Sequence, residues 1–346
     1  MPTSPTSPVI IALALLCAST AGKGEQGTPA QSPASLAAAG TAAAELPRLH
    51  SLLVSHRGSL VLERYFNGAR ATRLANVKSV SKSVISALVG IAIERGKIAR
   101  VTDPIGPYFP ELLRAPADAP KRQITIEQLL TMQSGLESTS SRNYGAWVTS
   151  RNWVRYALTR DFHATPGMAM EYSTGNTHVL SAILTKATGM STWQFAQGAL
   201  AKPLGFSLAQ WPQDPQGIFF GGNDMLLTPR QMVAFGELYL NGGRAGDVQV
   251  VPERWIEQSF VPRGRSNYSE QTYGYGWWMR EMAGQKAYFA WGFGGQYIFV
   301  IPAQQLVVVT TSSTATGEER RSHRRTVLDV VEQLIVAPLS AARAEG

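Results

Sequence analysis

The spacing of apolar positions divides the chain into strand-rich ends around a helical middle. Alternation begins at about Leu49. His50-Ser51-Leu52-Leu53-Val54-Ser55 and residues 59–66 are strand-like runs flanking Arg57-Gly58, a hairpin signal. After a short connection, residues 83–93 carry no charge at all. A helix apolar nearly all round is a buried central helix, and Gly96 supplies its stop. Residues 103–110 are turn-rich, and 125–132 keep helical spacing up to Ser134-Gly135. From about 126 to 240 helical patterns alternate with Pro/Gly breaks, and residues 179–187, 192–201 and 230–240 read as helices. Strand runs return at 273–280, 286–290, 296–301 and 306–311, before a final helix over about 319–336. The pattern predicts an α+β fold: one antiparallel sheet built from both ends of the chain, flanked by helices, with a mostly helical inserted region at about 126–240.

The first 46 residues follow neither period. Residues 1–21 read as a secretory signal, with an apolar segment from Val9 to Cys17 and the small residues Ser19-Thr20-Ala21 at a cleavage position. No Lys or Arg precedes the apolar segment, which is too short to span a bilayer. Cys17 invites a lipoprotein reading, but Leu16 before it is bulkier than such a site usually takes. Residues 22–46, rich in Ala, Gly, Ser and Pro, are expected to be a flexible linker, leaving 47–340 as the folded domain. The expectation is an exported protein, periplasmic or secreted, with no stable membrane span once the signal is cleaved.

Composition narrows the chemistry. Cys17 is the sole cysteine, so the mature chain has neither a disulfide nor a thiol nucleophile. The five histidines (His50, His56, His163, His178, His323) lack metal-ligand spacing, and neither a metal nor a cofactor is expected. The net charge of +8 is compatible with modest attraction for anionic substrates or surfaces, but an ordinary solvated surface explains it better. Its arginine pairs, Arg320-Arg321 and Arg324-Arg325, sit on the last helix without the base-stacking aromatics of a nucleic-acid interface.

The candidate chemistry lies where the central helix opens, at Ser79-Val80-Ser81-Lys82. On a helix, a serine and a lysine three residues apart share one face. At the mouth of a core, partial desolvation lowers the lysine pKa toward a neutral amine able to take the serine proton. Chance alone supplies roughly 0.6 Ser-x-x-Lys spacings in a chain of this composition, so on these four residues a helix start with a solvated lysine competes on even terms.

Two later stretches break the tie. Pro166-Gly167 is followed by Tyr172-Ser173-Thr174, and Gly292-Phe293-Gly294-Gly295-Gln296 leads into a strand. With Leu129–Gly135, Pro203-Leu204-Gly205 and Tyr273–Trp278, the chain over 49–336 resembles the serine β-lactamase and penicillin-binding-protein-like superfamily. Within it, the likeness is to class C β-lactamase-like esterases and 6-aminohexanoate-dimer (nylon-oligomer) hydrolases. The resemblance implies Ser79 as acylated nucleophile, Lys82 as general base and Tyr172 as proton relay. It also implies an oxyanion hole from the backbone N–H groups of Ser79 and Phe293, with Thr174, Trp291, Gly292 and Gly294 lining the substrate pocket. The glycines beside Phe293 are expected to let substrate approach the strand. Trp147, Trp153, Tyr275, Trp277 and Trp291 are candidate apolar lining, each of them equally a candidate for the core.

The departures from the superfamily pattern are informative. Thr174 stands where an asparagine is usual, and Ala290-Trp291-Gly292 replaces Lys-Thr-Gly or His-Thr-Gly. The groups that hold a substrate carboxylate are therefore missing, which points away from β-lactams and D-Ala-D-Ala peptides. The implied activity is hydrolysis of a carboxylic ester or small linear amide. The alternatives are a weak β-lactamase or DD-peptidase, and a non-catalytic envelope binding or scaffold protein.

Overall fold

A single antiparallel sheet joins the two ends of the chain. The computed structural model describes residue 1 and residues 33–269 and 271–344; the expected signal segment lies outside these. In chain order come helix α1 (Pro33–Ala44), strands β1 (Leu49–His56) and β2 (Ser59–Tyr65), and helix α2 (Ser81–Glu94). Two long helices of the middle follow, α3 (Thr174–Thr188) and α4 (Pro229–Leu240). The chain then forms β3 (Trp278–Met282), β4 (Gln285–Gly292), β5 (Gln296–Ile301), β6 (Leu306–Ser312) and helix α5 (Arg320–Val331). The sheet order is β2-β1-β6-β5-β4-β3, extended by the two-residue strands Thr272–Tyr273 and Gly264–Arg265. Between 126 and 240 only Leu226–Leu227 is strand.

Local chemistry accounts for several of these boundaries. Arg57 and Gly58 both have positive φ, +54° and +74°, which is the two-residue hairpin turn whose twist matches its strands. Thr228 and Gln231 cap the start of α4 reciprocally, with Pro229 in the first turn. Both faces of the sheet are covered, so β5 and β6 are buried along their whole length, with apolar runs at 297–301 and 306–309. Leu53, Ala290, Ile298, Val307 and Val309 face a core shared with α2, α3 and α4. Leu52, Val54, Phe289, Phe299 and Val308 face a second core closed by α1, α5 and the chain's last turns. Every residue from Ser81 to Ala92 of α2 is buried, which the uncharged run 83–93 predicts from Ser83 onward and which takes Lys82 along with it.

One expectation fails here. Residues 22–46 are not a flexible linker from Pro33 onward, because α1 buries Leu36, Ala39 and Ala43 in the second core. Its alanine-rich composition reflects high helix propensity and close approach to its neighbours rather than flexibility.

Candidate active site

The site begins with a distortion just before α2. Ser79 lies in a 3₁₀ turn, Lys78–Val80, and not in the α-helix itself, which starts at Ser81. Lys78 has φ +51°, a left-handed conformation unfavourable for a residue with a side chain. Three bonds hold it there. Its N–H donates to Asn76 Oδ1 at 3.0 Å, its carbonyl accepts from Ser81 Oγ at 2.6 Å, and its ammonium pairs with Asp224 at 2.7 Å. The turn lifts Ser79 to a half-buried position, while α2 carries Lys82 inward beneath it.

Lys82 is 2 % exposed. Its Nζ stands 3.0 Å from Ser79 Oγ, 2.6 Å from the Gly222 carbonyl and 3.3 Å from Thr174 Oγ1. Burial pulls its pKa down to about 7 against a smaller opposing pull from Asp224. A neutral amine has two N–H groups and one lone pair. With Gly222 O and Thr174 Oγ1 accepting the two protons, the lone pair is left for Ser79.

Tyr172 completes the group. Its phenol lies beside Ser79, and burial raises its pKa, the Ser79 hydroxyl opposing this only in part. The ring lies 4.9 Å from Lys82 Nζ and stacks on Trp278 at 5.5 Å. Tyr172, Ser173 and Thr174 are braced from behind by 138–140: Ser138 Oγ donates to the Tyr172 carbonyl, Thr139 bonds Ser173 Oγ and the Gly175 N–H, and Ser140 Oγ accepts from the Thr174 N–H.

The end of β4 closes the site from the sheet. A Cβ on Gly292 would stand 2.2 Å from the Val77 carbonyl and 3.1 Å from Lys78 Cβ, so β4 presses directly against the turn carrying Ser79. Phe293 follows at once, its ring under the Arg320 guanidinium at 4.3 Å, and Trp291 lies under that of Arg324 at 5.0 Å. The turn after Phe293 is anchored by Gln296, whose amide donates to the Phe293 and Ser312 carbonyls. The glycines here were expected to make room for substrate. Each also has a reason in the protein itself: Gly292 meets Val77, and a Cβ on Gly294 would lie 2.5 Å from the Ser313 carbonyl.

Ser79, Lys82, Tyr172 and Thr174 are thus brought together, with Gly292 and Phe293 against their turn. The aromatic lining divides otherwise. Trp147, Trp153 and Trp277 are core, the first two packing around His178 and Phe220, and Tyr275 is buried against Trp255. Trp291 alone of the five is half-buried, in edge contact with Trp278. Asn176 is turned away from Lys82's partners, its Oδ1 accepting from Ser134.

The sequence reading missed the segment 222–227. Beyond the Gly222 carbonyl and Asp224, the Met225 N–H donates to Ser81 Oγ, its carbonyl accepts the Val77 N–H, and Leu226 pairs with Asn76. Behind it the buried His178 bonds Asp214 at 3.0 Å and accepts from the Gly221 N–H. The visible signal was Gly221-Gly222-Asn223-Asp224, a loop composition between two helical stretches.

The chain is 26% identical over 254 residues to a 6-aminohexanoate-dimer hydrolase of Paenarthrobacter ureafaciens, covering 64% of this chain and 62% of the relative. It is 26% identical over 211 residues to esterase EstB of Burkholderia gladioli, covering 56% and 53%. These matches span less than two thirds of either curated relative's length. A class C beta lactamase from Rhodobacter sphaeroides superposes with a TM-score of 0.63 at 16% identity, over 85% of this chain and 98% of that one, and so shares the fold. The beta-lactamase family profile matches residues 43–332, and the chain belongs to that family.

Proposed function

We propose that the protein is a serine hydrolase that cleaves a carboxylic ester or small linear amide through an acyl-enzyme on Ser79. The observation that carries this reading is Lys82: buried, held near neutrality and 3.0 Å from Ser79 Oγ. Lys82 takes the Ser79 proton as Oγ bonds to the substrate carbonyl carbon. The developing oxyanion is received by the backbone N–H groups of Ser79 and Phe293, where loss of one such donor typically costs about 2.7–4 kcal/mol. Tyr172, kept protonated by burial, gives its proton to the leaving oxygen or nitrogen and is resupplied by Lys82. Water then attacks the acyl-enzyme with the same groups working in reverse.

The two curated relatives, a 6-aminohexanoate-dimer hydrolase and an esterase, support an ester or amide substrate. Thr174 points away from β-lactams, because its hydroxyl is engaged with Lys82 and Ser140 and offers no amide to a substrate side chain. Ala290 and Trp291 supply neither the cation nor the hydroxyl of a carboxylate clamp.

The test uses p-nitrophenyl esters, linear amides and nitrocefin on purified protein. Ester turnover should fall by roughly 10⁴-fold or more in Ser79→Ala, a fluorophosphonate should label Ser79, and nitrocefin turnover should be negligible. Full ester activity in Ser79→Ala, or labelling at another residue, would overturn the proposal. Export belongs to the same reading, and recovery of the protein with its first 21 residues intact in the cytoplasmic fraction would remove that part.

A further inference from the structure

A cavity of about 450 Å³ lies beside the site, lined by neither Ser79 nor Lys82. Its size falls within the about 300–1,000 Å³ typical of small-molecule sites. Its wall is basic and hydroxyl-rich: His50, Arg70 and Arg73 face Thr311, Ser312 and Thr314, with no Asp or Glu among the lining residues. Thr311 and Ser312 are buried, whereas Arg70 and Arg73 are exposed. Among the described residues neither arginine side chain makes an ion pair. Asp224, which reaches the wall only through Asn76, is already paired with Lys78. The positive charge is felt locally, since burial, and then Arg73 and Arg48, lower the pKa of His50. Guanidinium groups facing a concave, carboxylate-free space focus positive potential, and their planar forks match carboxylate or phosphate oxygens.

We propose that this cavity binds a small anion, through a carboxylate or phosphate group gripped by Arg70 and Arg73 with the Thr314 hydroxyl as a further donor. Its wall touches both halves of the neighbouring site. Asn76 accepts the Lys78 N–H, and Ser312 bonds the Gly295 carbonyl and the Gln296 side chain in the turn after Phe293. An occupant therefore braces the two turns that present the Ser79 and Phe293 N–H groups.

Calorimetric titration tests the proposal, with inorganic phosphate in one arm and glutarate in the other, at constant ionic strength set by chloride. The parent protein should bind at least one probe saturably at one site per chain, and the tighter probe identifies the anion class. Removing two charge-assisted contacts should weaken that binding by about tenfold or more in an Arg70→Ala/Arg73→Ala double variant. Both side chains are exposed, so the variant should keep the parent's melting temperature. No saturable binding of either probe, or equal affinity in the two proteins, would refute the site. Neither readout depends on turnover, so failure here is distinguishable from failure of the hydrolase assignment.

Discussion

Replacing Lys82 by methionine should separate what the site costs from what it does. In the folded chain Lys82 titrates at about 7 against an ordinary 10.5, because burial disfavours its ammonium. At about 1.36 kcal/mol per pKa unit, the difference amounts to about 5 kcal/mol. The sign follows from proton counting. Between pH 7 and 10.5 the unfolded chain holds this proton and the folded chain does not, so stability rises with pH across that window. It is fully recovered above the unfolded pKa and lost as pH falls through the folded one. Methionine fills a similar volume and has nothing to ionise. It leaves the Gly222 carbonyl without its 2.6 Å donor, a pH-independent penalty of about 1–3 kcal/mol. Urea unfolding of both proteins between pH 6 and 10.5 should therefore show Lys82→Met more stable at the acid end. The advantage should fall by about 5 kcal/mol and reverse near the alkaline end. Other groups titrating in this window are common to both proteins and cancel in the difference. A stability difference that stays flat from pH 7 to 10.5 would show that the folded lysine keeps its ordinary pKa, and the neutral-base reading would go with it.

Three further outcomes follow from the same geometry. Ester hydrolysis by the parent should rise with pH through a limb near 7 as Lys82 deprotonates, and a limb appearing only above about 10 would exclude Lys82 as base. Asp224 raises the Lys82 pKa, so Asp224→Asn should move that limb to lower pH; an unmoved or alkaline-shifted limb contradicts the electrostatics. In Gly222→Ala the new Cβ would lie 2.6 Å from Thr174 Cγ2 and 2.7 Å from the Thr174 carbonyl. The carbonyl that orients Lys82 must then shift, and kcat for ester cleavage should drop by about 10²-fold. Unchanged kcat would mean that this carbonyl does not position the amine.

Elements with a strong local period were legible in the sequence. The hairpin at Arg57-Gly58, helix α2 around the uncharged run 83–93 and strand β5 at Gln296–Ile301 all lie where the pattern puts them. Ser79, Lys82 and Tyr172, which the fold brings together, each sit in an ordered motif. What escaped depends on partners distant in the chain. Trp147 and Trp291 are chemically alike, but one is enclosed by Trp153, His178 and Phe220 while the other rests at the sheet's end. Alanines at 39 and 43 look like linker composition until the second core they enter is known. The 222–227 segment has no period, and apart from the Asp224 carboxylate its role comes from backbone groups that every residue carries. The contact of Gly292 with Val77 is equally hidden, because sequence cannot tell which backbone lies against a glycine.

The pairing of the first strands with the last fixes when this molecule can finish folding. Ser51 and Thr311 share a buried 2.6 Å hydrogen bond across 260 residues of chain. At roughly 5–20 residues per second of synthesis, β1 waits on the order of 10–50 s for β6 to emerge. During that interval the β1–β2 hairpin has an unpaired inner edge, while α2 lacks the strands that bury it. Within the helical middle α4 also waits, because it packs chiefly on β1, β5 and β6. A chain interrupted before Leu306 keeps that edge open permanently, so nascent or truncated forms are the ones most in need of a chaperone's cover.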